Sequence, residues 1–228
     1  MDKQKLKIAV QLYGNLRTYR DCFPNLKQYL LDHYDCDVFI HTWDTLDHNT
    51  KAWHKLNEGK EIVELNTDDI RQELVQLYNP KSVTIEKQEP KDLGNITDKV
   101  GQTYSIFGIS CMMRTMKKVN TLRVRYQKEN NVKYDFVLCT RPDIFLKRQF
   151  LIESFTDLFT QKELNKSIFI TGCKCGADST ILNDLRYIGG KDLLYFAKPK
   201  IISSLYKNRK KVFDDVKKVA ENPISLYC

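Results

Sequence analysis

Short apolar runs alternate along this chain with longer stretches in which apolar residues recur every three or four positions. Residues 7–12 (KIAVQL) form an apolar run that ends just before Gly14 and predict a first strand. Asp21 and Pro24 then stand where a helix cap and an early helical proline belong, with Leu26, Tyr29 and Leu30 as the stripe. Residues 37–42 (DVFIHT) predict a second strand, and 43–59, polar and without period, a long loop with a turn of helix. Thr67 is the expected N-cap of a helix over 68–77 (Ile70, Leu74, Leu77), which Pro80 stops; 82–86 (SVTIE) alternates as a strand. Residues 89–101, rich in Pro, Gly, Asn and Asp, read as a loop. The longest helical pattern spans 104–129, with Ile109, Met112, Met116, Val119, Leu122 and Tyr126 on one stripe. Residues 134–139 (YDFVLC) read as a strand buried on both faces of a parallel sheet. Further strands are expected at 167–171 and 185–188, and helices at 191–196 and 199–219. This alternation predicts one α/β domain over residues 1–228, with a mainly parallel central sheet flanked by helices.

Composition narrows the class. At 42% hydrophobic and 29% charged, the chain is neither disordered nor a membrane span, and no apolar run approaches ~18 residues. The start is charged and leads only into Ile8-Ala9-Val10, too brief for a signal-peptide core. Seven scattered cysteines fit reduced thiols, so a cytoplasmic location is expected. The formal charge of +8 is concentrated in two places. Residues 198–218 carry eight basic and two acidic side chains, and 114–128 carry six basic and none acidic, which leaves the rest mildly acidic. Such a distribution points to an anionic partner: a nucleotide, a nucleic acid or an anionic membrane surface.

In parallel sheets ligands gather beyond the carboxyl ends of the strands, so chemistry is sought in the segments that follow them. After the first strand, Gly14 allows backbone amides to approach an anion, and Arg17 offers charge-assisted bonds to phosphate; a plain turn with a surface arginine is the alternative. This is neither G-x-G-x-x-G nor a P-loop. His41, Thr42, Trp43 and Asp44 close the second strand and suit stacking on a base or sugar, or equally a Trp that anchors the loop. The strand at 134–139 runs straight into Thr140-Arg141-Pro142-Asp143. Asp143 offers a carboxylate for a divalent metal and Arg141 a direct phosphate contact, and the same two residues also suit a simple Arg–Asp pair. Asp184, just before the expected strand at 185–188, is a candidate base or a turn residue. The literal Asp-x-Asp at Asp35 and Asp37 precedes its strand, opposite the expected site, and reads as structural. Cys173 and Cys175 lack a second ligand pair at zinc spacing, and no G-x-S-x-G elbow is present.

Five of these segments, in order, resemble a family of bacterial and giant-virus glycosyltransferase-like proteins of surface-glycan, capsule or lipopolysaccharide synthesis. They are the Gly14/Arg17 turn, the CDVFIHTW strand at 36–43, the YSI helix start at 104–106, YDFV…RPD at 134–143 and NDxxxIG at 183–189. The resemblance covers about residues 5–196 and implies a GT-A-like (Rossmann-like) nucleotide-sugar transferase with a basic C-terminal helical segment at 198–219. It implies a nucleotide against Gln11, Gly14, Arg17, His41, Trp43 and Asp44, with Tyr104 and Ser105 lining the donor pocket. Asp143 would hold Mn²⁺ or Mg²⁺ on the donor diphosphate, where the family often has two carboxylates. With one here, Arg141 is the alternative neutraliser. Asp184 or Asp178 would deprotonate the acceptor hydroxyl. The implied partners are a nucleotide-sugar donor and a glycan or lipid-linked acceptor; separately, the charge of residues 198–218 suits peripheral contact with an anionic membrane, or equally a solvated lysine-rich helix face. A catalytically inactive nucleotide- or glycan-binding relative and a nucleic-acid-binding α/β module are the rival expectations; the second rests on charge alone.

Overall fold

The computed structural model describes residues 5–47, 63–89, 91, 93–97, 103–172 and 190–207. In chain order the elements are β1 (Lys7–Tyr13), α1 (Tyr19–Leu26), which runs into a π-helical turn (Lys27–Leu31), β2 (Asp35–Trp43) and α2 (Thr67–Tyr78). Then follow β3 (Ser82–Glu86), a small antiparallel pair β4 (Asn95–Thr97) and β5 (Thr103–Ser105), α3 (Ile106–Glu129) and β6 (Phe136–Thr140). The short helices α4 (Glu153–Thr156) and α5 (Gln161–Leu164), β7 (Ile168–Gly172), β8 (Gly190–Ala197) and α6 (Pro199–Lys207) complete the order.

Six strands form one sheet in the order β3-β2-β1-β6-β8-β7. β1 pairs in parallel with β2 on one side and β6 on the other, β2 pairs in parallel with β3, and β8 alone runs antiparallel to its neighbours. From β1 the chain therefore builds outward through β2 and β3, then returns across α3 to place β6 on the opposite side of β1. The crevice beyond the carboxyl ends of β1 and β6 is a topological switch point, where an open α/β sheet has room for a ligand.

β1 is buried on both faces, which explains a run that is apolar from Ile8 to Tyr13 apart from Gln11. Ile8, Val10 and Leu12 face a core shared with Leu16, Tyr19, Leu26 and Leu30 and with Ile70 and Leu74 of α2. Ala9 and Tyr13 face the other layer, where Met116 and Val119 of α3 and Ile202 and Tyr206 of α6 pack. Each fully buried Leu or Ile contributes about 1.5–3 kcal/mol, so the strand is held by its side chains from both sides. The apolar side of α6 is committed to this core.

Several expectations shift. Residues 191–196, expected as a helix, lie in β8, where Leu194 to Ala197 are buried in succession. A short apolar run suits a strand and a buried helix equally, and pairing with β6 and β7 decides it. The N-cap of α2 is Asn66, whose side chain accepts the amides of Asp68 and Asp69 at 3.0 and 3.4 Å, with Thr67 already inside the helix. The expected loop at 89–101 contains β4. The expected strand at 185–188 lies outside the described residues. Among the described residues no helix is long and apolar enough to cross a membrane.

Candidate functional site

Where β1 ends, Gly14 takes φ +95, a left-handed conformation that glycine adopts freely, and Arg17 follows at φ +48. An arginine in this region is strained by about 1–2 kcal/mol, and local bonds hold it there. Its backbone amide donates to the Leu46 carbonyl at 2.8 Å, tying the turn to the segment after β2. The buried Asn15 amide reinforces the same tie through Thr45, and the Thr45 hydroxyl donates to Gln88 Oε1 at 2.9 Å. Three strand ends are thereby fastened together by one polar chain.

The Arg17 guanidinium donates from Nε to Asp47 Oδ1 at 2.7 Å and from Nη1 to Asp143 Oδ2 at 3.2 Å. Arg141, at the end of β6, grips Asp143 with two prongs, Nε to Oδ1 at 2.7 Å and Nη2 to Oδ2 at 2.5 Å. The Asp143 side chain is 6% exposed, against 22% and 26% for Arg17 and Arg141. Burial pushes its carboxyl upward, and the two guanidinium groups more than reverse this, so it stays ionised below the usual carboxylate range.

A small open cleft of about 60 Å³ faces this cluster, lined by Gly14, Arg17 and Arg141 on the sheet edge and by Gly108, Cys111 and Met112 of α3. Asp143 does not line it; the arginines stand in front. Ser105 is the N-cap of α3, its hydroxyl accepting the Gly108 amide at 3.2 Å, and the first turn carries no acidic residue. The first two turns of this 24-residue helix border the same cleft through Gly108, Cys111 and Met112. A neighbouring cleft of about 410 Å³, lined by Glu86, Lys87, Phe107 and Arg114, shares Trp43, Gln88 and Cys111 with the first.

The other expected site residues divide. Trp43 reaches both clefts but is 2% exposed, and packs edge-on against His41, with the Arg114 guanidinium 5.7 Å from its ring centre. Burial favours its anchoring role over stacking on a base. His41 has no exposed surface and lines neither cleft; Glu86 Oε1 stands 3.5 Å from its Nε2. Burial drives its pKa down to about 4 despite that carboxylate, so the ring is neutral at pH 7. Asp44 accepts the Gln88 amide at 2.8 Å and braces the loop after β3. Gln11 lies inside the sheet, fully buried, bonded to Asn120 Oδ1 at 3.2 Å and accepting from the Cys139 thiol at 3.3 Å, away from the cleft. Tyr104 contributes backbone to β5. Asp178, Asp184, Cys173 and Cys175 lie outside the described residues. Asp37 sits at the amino end of β2, accepting the Tyr134 hydroxyl at 2.8 Å near Lys7.

The divalent cation that the resemblance implies at Asp143 does not fit the described donor set. Both carboxylate oxygens are taken by guanidinium groups. Among the described residues no three His, Cys, Asp or Glu side chains come together as a metal group. Sequence reasoning also missed Asn15, Thr45, Asp47 and Gln88, whose role is visible only once three strand ends adjoin. Compared with known proteins, no family model matches the chain and no curated protein matches it.

Proposed function

We propose that the protein is a glycosyltransferase of GT-A-like architecture that takes a sugar from a nucleotide-sugar donor and passes it to a glycan or lipid-linked acceptor. The observation that carries this reading is the convergence of Arg17 and Arg141, from the ends of β1 and β6, on one cleft at the switch point of the sheet. The donor diphosphate lies against these guanidinium groups and the amino end of α3, and the nucleoside extends toward the cleft shared by Trp43 and Gln88.

In the reaction the bond between the anomeric carbon and the diphosphate oxygen breaks, and its electron pair leaves with that oxygen. Hydrogen bonds from Arg17 and Arg141 strengthen as this charge develops, which lowers the barrier more than it deepens ground-state binding. The acceptor hydroxyl oxygen bonds to the anomeric carbon, and its proton passes to a base, for which the sequence offers Asp184.

A thermal-shift panel of nucleotide sugars tests the reading. One donor class should raise the melting temperature, by the equivalent of about 2.7 kcal/mol at 100 times its dissociation constant. That donor should be turned over to free nucleoside phosphate when an acceptor is supplied, and the Arg17→Ala, Arg141→Ala double variant should lose both responses. A folded wild-type protein indifferent to every nucleotide sugar would refute the assignment.

A further inference from the structure

From the arrangement at the β1–β6 crevice we infer that the diphosphate is bound by arginine alone, without a divalent cation, and that Asp143 is a positioning residue. This rests on the donor-site reading above. In a metal-bridged site the carboxylate faces the phosphates and offers its oxygens to the ion. Here the order is inverted: Arg17 and Arg141 line the cleft, and Asp143 lies behind them, 6% exposed, with each oxygen accepting a guanidinium N–H.

The surroundings carry the same sign. The residues that line this cleft include two guanidinium groups and no carboxylate. Three other carboxylates of this strand edge are engaged. Asp47 accepts from Arg17 at 2.7 Å, Asp44 accepts the Gln88 amide, and Glu86 is held by Lys118 at 2.7 Å and Arg114 at 2.8 Å. Asp143 instead does for two arginines what a buried carboxylate does well. It holds the Arg141 fork by two bonds and Arg17 by one, so that a pyrophosphate group meets donors already oriented.

Binding of inorganic pyrophosphate and of UDP and GDP to the full-length protein, by calorimetry in EDTA and again in excess Mn²⁺, tests this without any variant. Dissociation constants should agree within about threefold between the two conditions for whichever probe binds. Arg17→Lys and Arg141→Lys, which keep the charge and lose the fork, should each weaken binding about tenfold. Asp143→Asn should weaken it by the same factor in EDTA and in Mn²⁺, because loosened arginines cost the same with or without metal. Binding that appears only with Mn²⁺, or a Mn²⁺-dependent gain that Asp143→Asn erases, overturns the inference and leaves the donor site standing. Failure of all three probes in both buffers overturns the donor site as well.

Discussion

The arginines of the cleft and Arg123 of α3 are withdrawn from solvent in opposite ways. Arg17 and Arg141 keep about a quarter of their side chains exposed and share one carboxylate. Arg123 is 1% exposed and meets only neutral oxygens: Asn120 Oδ1 at 2.8 Å, Gln127 Oε1 at 2.6 Å and Ser203 Oγ at 2.7 Å. A carboxylate partner places a charge where a ligand can use it. Neutral acceptors satisfy the donors of a guanidinium that is never presented to anything, and here they bind α6 to α3 through Ser203. The first arrangement is suited to recognition and the second to architecture.

Five substitutions and one titration follow from the contrast. Arg123→Ala should have the largest effect, a loss of about 3–5 kcal/mol in urea unfolding, because it opens a void and strands Asn120, Gln127 and Ser203. Arg123→Met should recover most of that, since it refills the volume and removes a buried charge. If Met proves as damaging as Ala, the polar bonds rather than the packing hold α6. The titration comes next. His41 has a folded pKa near 4 against about 6.5 unfolded, so between these values the unfolded chain binds a proton that the folded one refuses. Stability should therefore fall by up to about 3 kcal/mol as pH drops from 6.5 to 4, and His41→Gln should flatten that slope. The Asp143 pair adds its own loss only below about pH 4, where the unfolded carboxyl takes up a proton that the paired, folded one still refuses.

Arg141→Ala should cost about 2 kcal/mol, because Asp143 keeps only Arg17, and should abolish the ligand-induced thermal shift that Arg123→Met retains. Gly14→Ala should cost about 1 kcal/mol. No atom lies within 4 Å of the added Cβ, so the penalty is purely that of φ +95. Asp47→Asn should have the smallest effect. It breaks a half-exposed pair worth about 0.5 kcal/mol and releases Arg17, so pyrophosphate affinity should rise about two- to threefold in calorimetry. A fall in affinity would mean that Asp47 orients Arg17 rather than competing for it.

The comparison also revises the charge of the chain. The basic run at 114–128 lies in α3, and three of its six charges are engaged: Arg123 is buried, and Arg114 and Lys118 both hold Glu86. A buried charge such as Arg123 releases no counterions from a phosphate backbone, so this run offers a nucleic acid fewer charges than its count of six.

What the sequence determined by itself is the layout: the apolar runs of β1, β2, β3 and β6, the long stripe of α3, and the Gly14/Arg17 and Arg141/Asp143 pairs beyond two strand ends. These are local signals, written in spacing and residue type. Strand order, and hence the adjacency of two segments some 125 residues apart, was decided only by the tertiary structure. So was the strand identity of 190–197, since a short apolar run takes whichever form its neighbours can pair with. His41 read as a site residue because its strand ends there, and Gln11 through the resemblance, yet layers packed on both faces of the sheet bury both side chains. The roles within the cleft belong to the same level. Arg17 and Asp143 are each compatible with many partners in sequence, and only the fold sets the arginines in front and the carboxylate behind.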